Sequence, residues 1–305
     1  MISLDPPGCR ACGGPLAPVP TLVAPDRVHR IPGRWAIHCC QRCGSGTTLP
    51  IVAEDELGSF YPRSYAPFDL PSGLLARAMA EMQRRRDRRF PLSELAPARR
   101  PGTLLDVGCG RGDLAASWVE AGWTVLGVEP SQQAAAIAAR RGARIVGQTL
   151  SDASVQPESL DAVVFRHSLE HVVDPRHELG RVARMLVPGG RLAVIVPNWG
   201  SWQRRAFGER WFPLELPRHR THFTADGLRA AIGSAGLDVI DVMPATPLIT
   251  TTWSLQLALA GRVLTESGPA LLAGYAASIP VAVLVRLVDR IMGSGDFLHA
   301  AAFKP

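Results

Sequence analysis

The run Thr103-Leu104-Leu105-Asp106-Val107-Gly108-Cys109-Gly110-Arg111-Gly112 leaves few folds open to this chain. Its first half is short, apolar and β-prone. Its second half places a glycine at every other position, so a buried strand passes directly into a tight backbone turn. A helix is expected next, from Asp113 to Ala121, where Leu114, Trp118 and Val119 recur at helical spacing. Trp123-Thr124-Val125-Leu126-Gly127-Val128 then reads as a second strand ending at Glu129. Strand, turn, helix and strand in that order make half of a mononucleotide-type α/β sheet, with Glu129 where a ribose hydroxyl is met. The pyrophosphate-binding fingerprint wants its third glycine where this chain has Asp113. Asp106 stands beside the turn and offers acceptor oxygens to the ammonium end of an amino-acid moiety, so the loop suits a cationic ligand better than a phosphate.

Five of the six cysteines fall within the first 43 residues. Cys9-Arg10-Ala11-Cys12-Gly13 and Cys40-Gln41-Arg42-Cys43-Gly44 are two C-x2-C-G knuckles, each followed by a glycine that lets backbone amides turn toward sulfur. Cys9, Cys12, Cys40 and Cys43 are therefore expected to hold a structural Zn²⁺, with Cys39 as a substitute ligand. A closed set of four thiolates leaves no position for a substrate, and the metal folds a segment too short to bury a core of its own. The N-terminus lacks the basic-then-apolar layout of a secretion signal, which together with cysteine usage points to a reducing cytoplasm. Cys109, inside the glycine turn, reads as a small packing side chain.

Further along, Tyr61-Pro62-Arg63-Ser64-Tyr65 is a proline-punctuated loop, followed by a helix expected over residues 72–90. That helix carries Arg84-Arg85-Arg86-Asp87-Arg88-Arg89, but with a net charge of only +6 an anionic partner is permitted rather than required. Ala143 to Val146 is a third strand, bringing Gln148 to the carboxyl edge of the sheet, where open α/β folds bind ligands. Asp161 to Arg166 is a fourth strand, delivering His167-Ser168-Leu169-Glu170-His171 to the same edge. A helix over 176–185 stops before Pro188-Gly189-Gly190, Arg191 to Val196 is a fifth strand, and Leu237 to Met243 a sixth. His167-x-x-Glu170-His171 also satisfies a metalloprotease pattern, yet that chemistry needs both histidines on one helix face, and here the motif begins directly off a buried strand.

The LLDVGCGRGD, LEHVVDP and LVPGGRLAVIVPN runs resemble class I S-adenosylmethionine (SAM)-dependent methyltransferases. With the two CxxCG knuckles, the FYPRSY loop and the later PRHRTHFT run, the chain is similar to bacterial zinc-containing methyltransferases of sugar, surface-glycan and secondary-metabolite pathways. The resemblance covers almost the whole chain and is loose over residues 247–291. It implies an α/β fold with a Rossmann-like, seven-stranded, mostly parallel sheet and helices on both faces. To this are added a small N-terminal zinc-binding module and a C-terminal apolar helical insertion.

The resemblance also implies SAM as donor, S-adenosylhomocysteine as product, and a small-molecule or glycan acceptor. On that reading Asp106, Gly108, Gly110, Glu129, Gln148, His167 and Tyr61 bind the cofactor. If the acceptor is an alcohol, a histidine near neutrality can take its proton. The expected base is His219, in the run bordering the acceptor pocket, with His171 orienting it or substituting for it. Tyr65 joins Tyr61 at the mouth. Two other readings stay open: an RNA methyltransferase gripping its substrate through the zinc module, which the sparse positive charge there disfavours, and a SAM-binding protein without turnover.

The expected organisation is a zinc module over 1–50, a tyrosine loop and basic helix over 51–100, a SAM-binding core over 101–246, and an apolar insertion with a final strand over 247–305. Two long uncharged runs, 242–261 and 267–285, approach bilayer-spanning length but contain proline and hydroxyl residues. Packing on the core, a homodimer face, and peripheral contact with the inner membrane face are the three uses open to them.

Overall fold

A computed structural model of the protein describes residues 8–61, 101–263 and 269–305. Tyr65, the arginine run at 84–89 and the helix expected over 72–90 lie outside the described residues. The main sheet contains β4 (Thr103–Val107), β5 (Thr124–Val128), β6 (Arg144–Gly147), β7 (Leu160–Arg166), β8 (Leu186–Pro197), β10 (Asp238–Ala245) and β11 (Phe297–Phe303), in the order β10-β11-β8-β7-β4-β5-β6. β11 runs antiparallel to both β8 and β10, and every other pairing is parallel.

Leu104, Leu105, Val163, Val164, Phe165, Val194 and Val196 are buried, because helices cover both faces and a strand in that position must be apolar throughout. One face packs Leu105, Val107, Phe165 and Leu192. The other packs Leu104, Val164 and Ala193 with Trp118 and Trp123, whose rings meet edge to face at 5.2 Å. Among the described residues the helices longer than a single turn are α1 (Asp113–Glu120), α2 (Gln132–Arg140), α3 (Pro175–Met185), α4 (Trp202–Phe207), α5 (Ala225–Ser234), α6 (Leu248–Ala260) and α7 (Pro269–Met292). Ser131, Asp174, Ser201 and Thr224 cap α2, α3, α4 and α5 by accepting first-turn amides.

Strand β8 starts earlier than the sequence suggests. Leu186 already pairs with Leu160, and the register then jumps so that Arg191 faces Ala162. Five residues of β8 thus span two of β7, and Pro188-Gly189-Gly190 lie within the bulge rather than between helix and strand.

A second sheet holds β1 (Leu22–Ala24), β2 (Trp35–Cys39) and β3 (Gly46–Leu49), all antiparallel, and takes its fourth strand, β9, from Thr221–His222 far along the chain. Cys9, Ala11 and Cys40 belong to the same buried cluster as Leu179, Phe223 and Leu228. The amino-terminal segment is therefore welded to the core by a shared sheet and shared apolar contacts.

α6 and α7 pack on each other. Along α7, Val283, Leu284, Leu287, Ile291 and Met292 face solvent. No described helix is long and apolar enough to cross a membrane.

Candidate active site

The glycine turn follows β4 at the carboxyl edge of the sheet. Gly108 has φ +74°, and a Cβ there would come within 2.7 Å of the Ser168 Cβ. Gly110 has φ +54° and would meet nothing within 4 Å, so the turn opens onto free space at that residue. Amides of Gly108 and Cys109 donate to the Val128 carbonyl at 2.8 and 3.1 Å, tying the turn to the end of β5. Cys109 is buried against Gly127, whose missing side chain makes room for it.

Two acids flank this opening. Asp106 is buried, and desolvation pushes its carboxyl up to about 6, partly offset by Arg166. Glu129 accepts from the Gly110 amide at 2.8 Å and the Ser131 amide at 2.9 Å, so one carboxylate fixes both the turn and the start of α2. Burial raises its pKa as well. Gln148 is exposed just beyond β6. Glycines that admit a ligand's close approach, beside two buried acids, fit a cationic, ribose-bearing cofactor.

The turn after β7 touches the glycine turn. Ser168 packs on Gly108 and its hydroxyl donates to the Val107 carbonyl at 2.6 Å. His167 precedes it with φ +57°, a left-handed conformation uncommon for a residue with a side chain, and its ring meets Phe297 edge to face. Leu169–His171 form one 3₁₀ turn, not the helix a metalloprotease would need.

Around that turn the structure gathers Glu170, His171, His219 and Tyr61. The His171 and His219 rings meet at 4.6 Å, and the His219 Nε2 lies 3.9 Å from the Glu170 Oε1. The Tyr61 hydroxyl is 3.1 Å from the His171 Nδ1. His219 is 4% exposed and its Nδ1 meets the Pro213 carbonyl at 2.9 Å, whereas His171 is only partly buried. Burial pushes His171 down to about 3 and His219 well below the usual histidine range, so both rings are neutral at pH 7. Glu170 moves the other way, up to about 8, through desolvation.

The sequence expectation picked His219 and His171 and passed over Glu170. The signal was present in the Glu170-His171 pair, but burial with no hydrogen-bond partner, which gives the carboxyl its character, has no mark in sequence. His222 sits apart, with its Nε2 2.9 Å from the Thr48 Oγ1. Trp199 and Trp211 are buried, and their indole N–H groups donate to the Cys39 Sγ at 3.2 Å and the Asp296 Oδ1 at 2.9 Å. Cys39 is thereby engaged away from the knuckles.

Cys9, Cys12, Cys40 and Cys43 place their sulfurs within 4.8 Å of one another, with Cys9–Cys43 at 3.7 Å and Cys12–Cys40 at 3.5 Å. Tetrahedral thiolates around zinc stand about 3.8 Å apart, given a metal–sulfur bond of about 2.3 Å. No disulfide forms among the described residues. The hydrogen bond between Cys9 and Cys43 pushes the Cys43 thiol down and the Cys9 thiol up.

A cavity of about 390 Å³ lined by Asp26, Arg27, Arg30 and Gly261 contains none of these groups. It adjoins the buried Asp26–Arg218 pair, which braces the His219 segment.

Comparison with known proteins agrees with this geometry. A family profile described as a methyltransferase domain matches residues 76–242. A ubiquinone biosynthesis O-methyltransferase from Klebsiella pneumoniae is 34% identical over 124 residues, covering 38% of this chain and 51% of that protein. An uncharacterized 37.1 kDa protein in a transposon of Streptomyces fradiae is 31% identical over 220 residues, covering 66% of this chain and 61% of its own length. The chain spans about half the length of the first of these relatives. Among solved structures, Haemonchus contortus phosphoethanolamine N-methyltransferase 2 in complex with SAM superposes with a TM-score of 0.55 at 16% identity, covering 85% of this chain and 62% of that one. At that identity the likeness is one of fold.

Proposed function

Since this chain belongs to the class I SAM-dependent methyltransferase family, we propose that it transfers the methyl group of SAM to a hydroxyl of a small molecule or glycan. The observation that carries this reading is the contact between Ser168 and Gly108, which sets the Glu170–His171–His219 cluster directly beside the turn flanked by Asp106 and Glu129.

SAM supplies a methyl group activated by its sulfonium for in-line displacement. The protein's part is to position and to handle one proton. Asp106 would receive the amino-acid end and Glu129 the ribose, with Gly108 and Gly110 permitting close approach and Gln148, His167 and Tyr61 completing the wall. The hydroxyl proton would pass to the histidine cluster. His171, the partly exposed member, would face the acceptor, and His219 would hold Glu170 and His171 in place from behind. This inverts the order expected from sequence. Cys9, Cys12, Cys40 and Cys43 would bind a structural Zn²⁺. The apolar side of α7 supplies the surface for a homodimer or for peripheral membrane contact.

Asp106→Ala and Glu129→Ala should each weaken SAM binding about tenfold or more by calorimetry, since each removes a charged hydrogen-bond acceptor. Zinc content should be unchanged. Undiminished affinity in both variants would refute the pocket. His171→Ala should lower kcat by about 10²–10⁴-fold, the span typical of a lost proton acceptor, with SAM affinity intact. S-adenosylhomocysteine release over a panel of nucleotide sugars and small alcohols reads both the acceptor class and this effect. Turnover equal to the parent's would remove His171 from the chemistry.

A further inference from the structure

We propose that Glu170, His171 and His219 form a second metal site, distinct from the four cysteines, which takes a divalent first-row transition cation and presents it to the acceptor hydroxyl. One ligand atom from each of the three residues lies within 4.8 Å of the others, although the residues come from two distant segments. Ligands around a metal at about 2.1 Å stand about 3–4.2 Å apart, so small side-chain rotations close the shell.

Two features favour a metal over a polar core cluster. First, Glu170 is 1% exposed, yet neither carboxylate oxygen accepts a hydrogen bond. A buried acid in that state costs stability unless something else meets it, and a cation does. Second, the His219 Nδ1 faces the Pro213 carbonyl at 2.9 Å, and the His171 Nδ1 faces the Arg218 carbonyl at 3.1 Å. A carbonyl can only accept, so the His219 Nδ1 carries the proton and its Nε2 keeps a lone pair; the His171 Nδ1, which also meets the Tyr61 hydroxyl, reaches the same state when it donates to the Arg218 carbonyl. That backbone-carbonyl arrangement is the usual outer partner of a metal-binding histidine.

The backbone around the site is braced on all sides. The Arg220 amide donates to the Glu170 carbonyl at 2.9 Å, and the Arg220 Nη1 donates to the His171 carbonyl at 2.6 Å. The Glu170-His171 pair is thus used on a 3₁₀ turn, with the third ligand brought in by His219.

Two imidazole nitrogens and one carboxylate oxygen suit Mn²⁺, Fe²⁺, Co²⁺ or Zn²⁺, and they leave positions open, unlike the closed thiolate set. The acceptor hydroxyl would coordinate there and lose its proton to water, so that with the cation bound His171 serves as a ligand in place of the proton acceptor it would be without a metal. The acceptor oxygen then bonds to the methyl carbon as the carbon–sulfur bond breaks and the pair stays on sulfur. The inference rests on the same histidine cluster as the proposed reaction but not on the identity of the acceptor.

The test uses the full chain, treated with a chelator mild enough to leave one zinc per chain, and titrates Mn²⁺ by electron paramagnetic resonance. One Mn²⁺ should bind the parent protein. Glu170→Gln and His171→Asn should each weaken it by about 100-fold or more, since outer partners alone are worth about 10–100-fold. If Glu170→Gln does not fold, His171→Asn decides, because His171 is partly exposed. No Mn²⁺ bound by the parent, or equal binding by the folded variants, overturns the site. SAM calorimetry on the same samples separates the failures: absent SAM binding by the parent sinks the methyltransferase pocket whatever the metal result, and intact SAM binding without Mn²⁺ sinks the metal site alone.

Discussion

Cys43→Ser is expected to leave most of the chain insoluble and the folded remainder without zinc. In metal-folded modules the binding free energy is folding free energy, on the order of 10 kcal/mol. Here the damage spreads, because Cys9 and Cys40 are packed with Phe223 and Leu228 of the main core. β3 also pairs with the strand carrying His222, three residues past His219. Folded yield and zinc per chain are the readouts. A soluble, zinc-free protein with the parent's circular dichroism and melting temperature would show that the four thiols are not a structural metal site.

The second large effect is expected at Asp26, which no local sequence pattern singles out. Its carboxylate receives the Arg218 guanidinium at 2.8 and 3.3 Å, and both side chains are fully buried. Arg218 also donates to the Phe60 carbonyl and pairs with Glu215. Asp26→Ala leaves a buried guanidinium short of its main partner, so stability should fall by about 3–5 kcal/mol. The urea midpoint should drop with the slope unchanged. Adding Arg218→Met in the Asp26→Leu background should recover most of that loss, because an apolar pair of similar volume needs no compensation. A single-variant cost below about 1 kcal/mol would mean that water or Glu215 already satisfies the arginine. Arg218 adjoins His219, and its carbonyl meets the His171 Nδ1, so the single variant should also lower turnover.

Where pattern and chemistry are local, reading the chain in order succeeded. β4, the glycine turn, α1 and β5 fall where Thr103 to Glu129 place them, because alternating glycines and continuous apolar strands leave one regular solution. A final strand within residues 247–305 was equally legible, and it lies at Phe297–Phe303. Boundaries near Pro188 were not, because a bulge absorbs residues that look like a stop signal. Nor was the sharing of a sheet between residues 46–49 and 221–222, since a two-residue strand has no period to detect. The ranking of His219 over His171 followed the family resemblance, and the difference in burial between the two rings, on which the proposed reaction puts His171 first, has no mark in sequence.

From sequence alone came the class of fold, the turn between two acids, and two pairs of thiols at metal-ligand spacing. These depend on neighbours within a few residues, where backbone geometry and residue type suffice. Tertiary structure decided that His219 is buried and His171 only partly so, that Glu170 is buried without a hydrogen-bond partner beside two neutral imidazoles, and that Asp26 anchors the segment behind them. Those facts depend on desolvation and on contacts spanning up to 192 residues, and neither quantity exists until the chain has closed on itself.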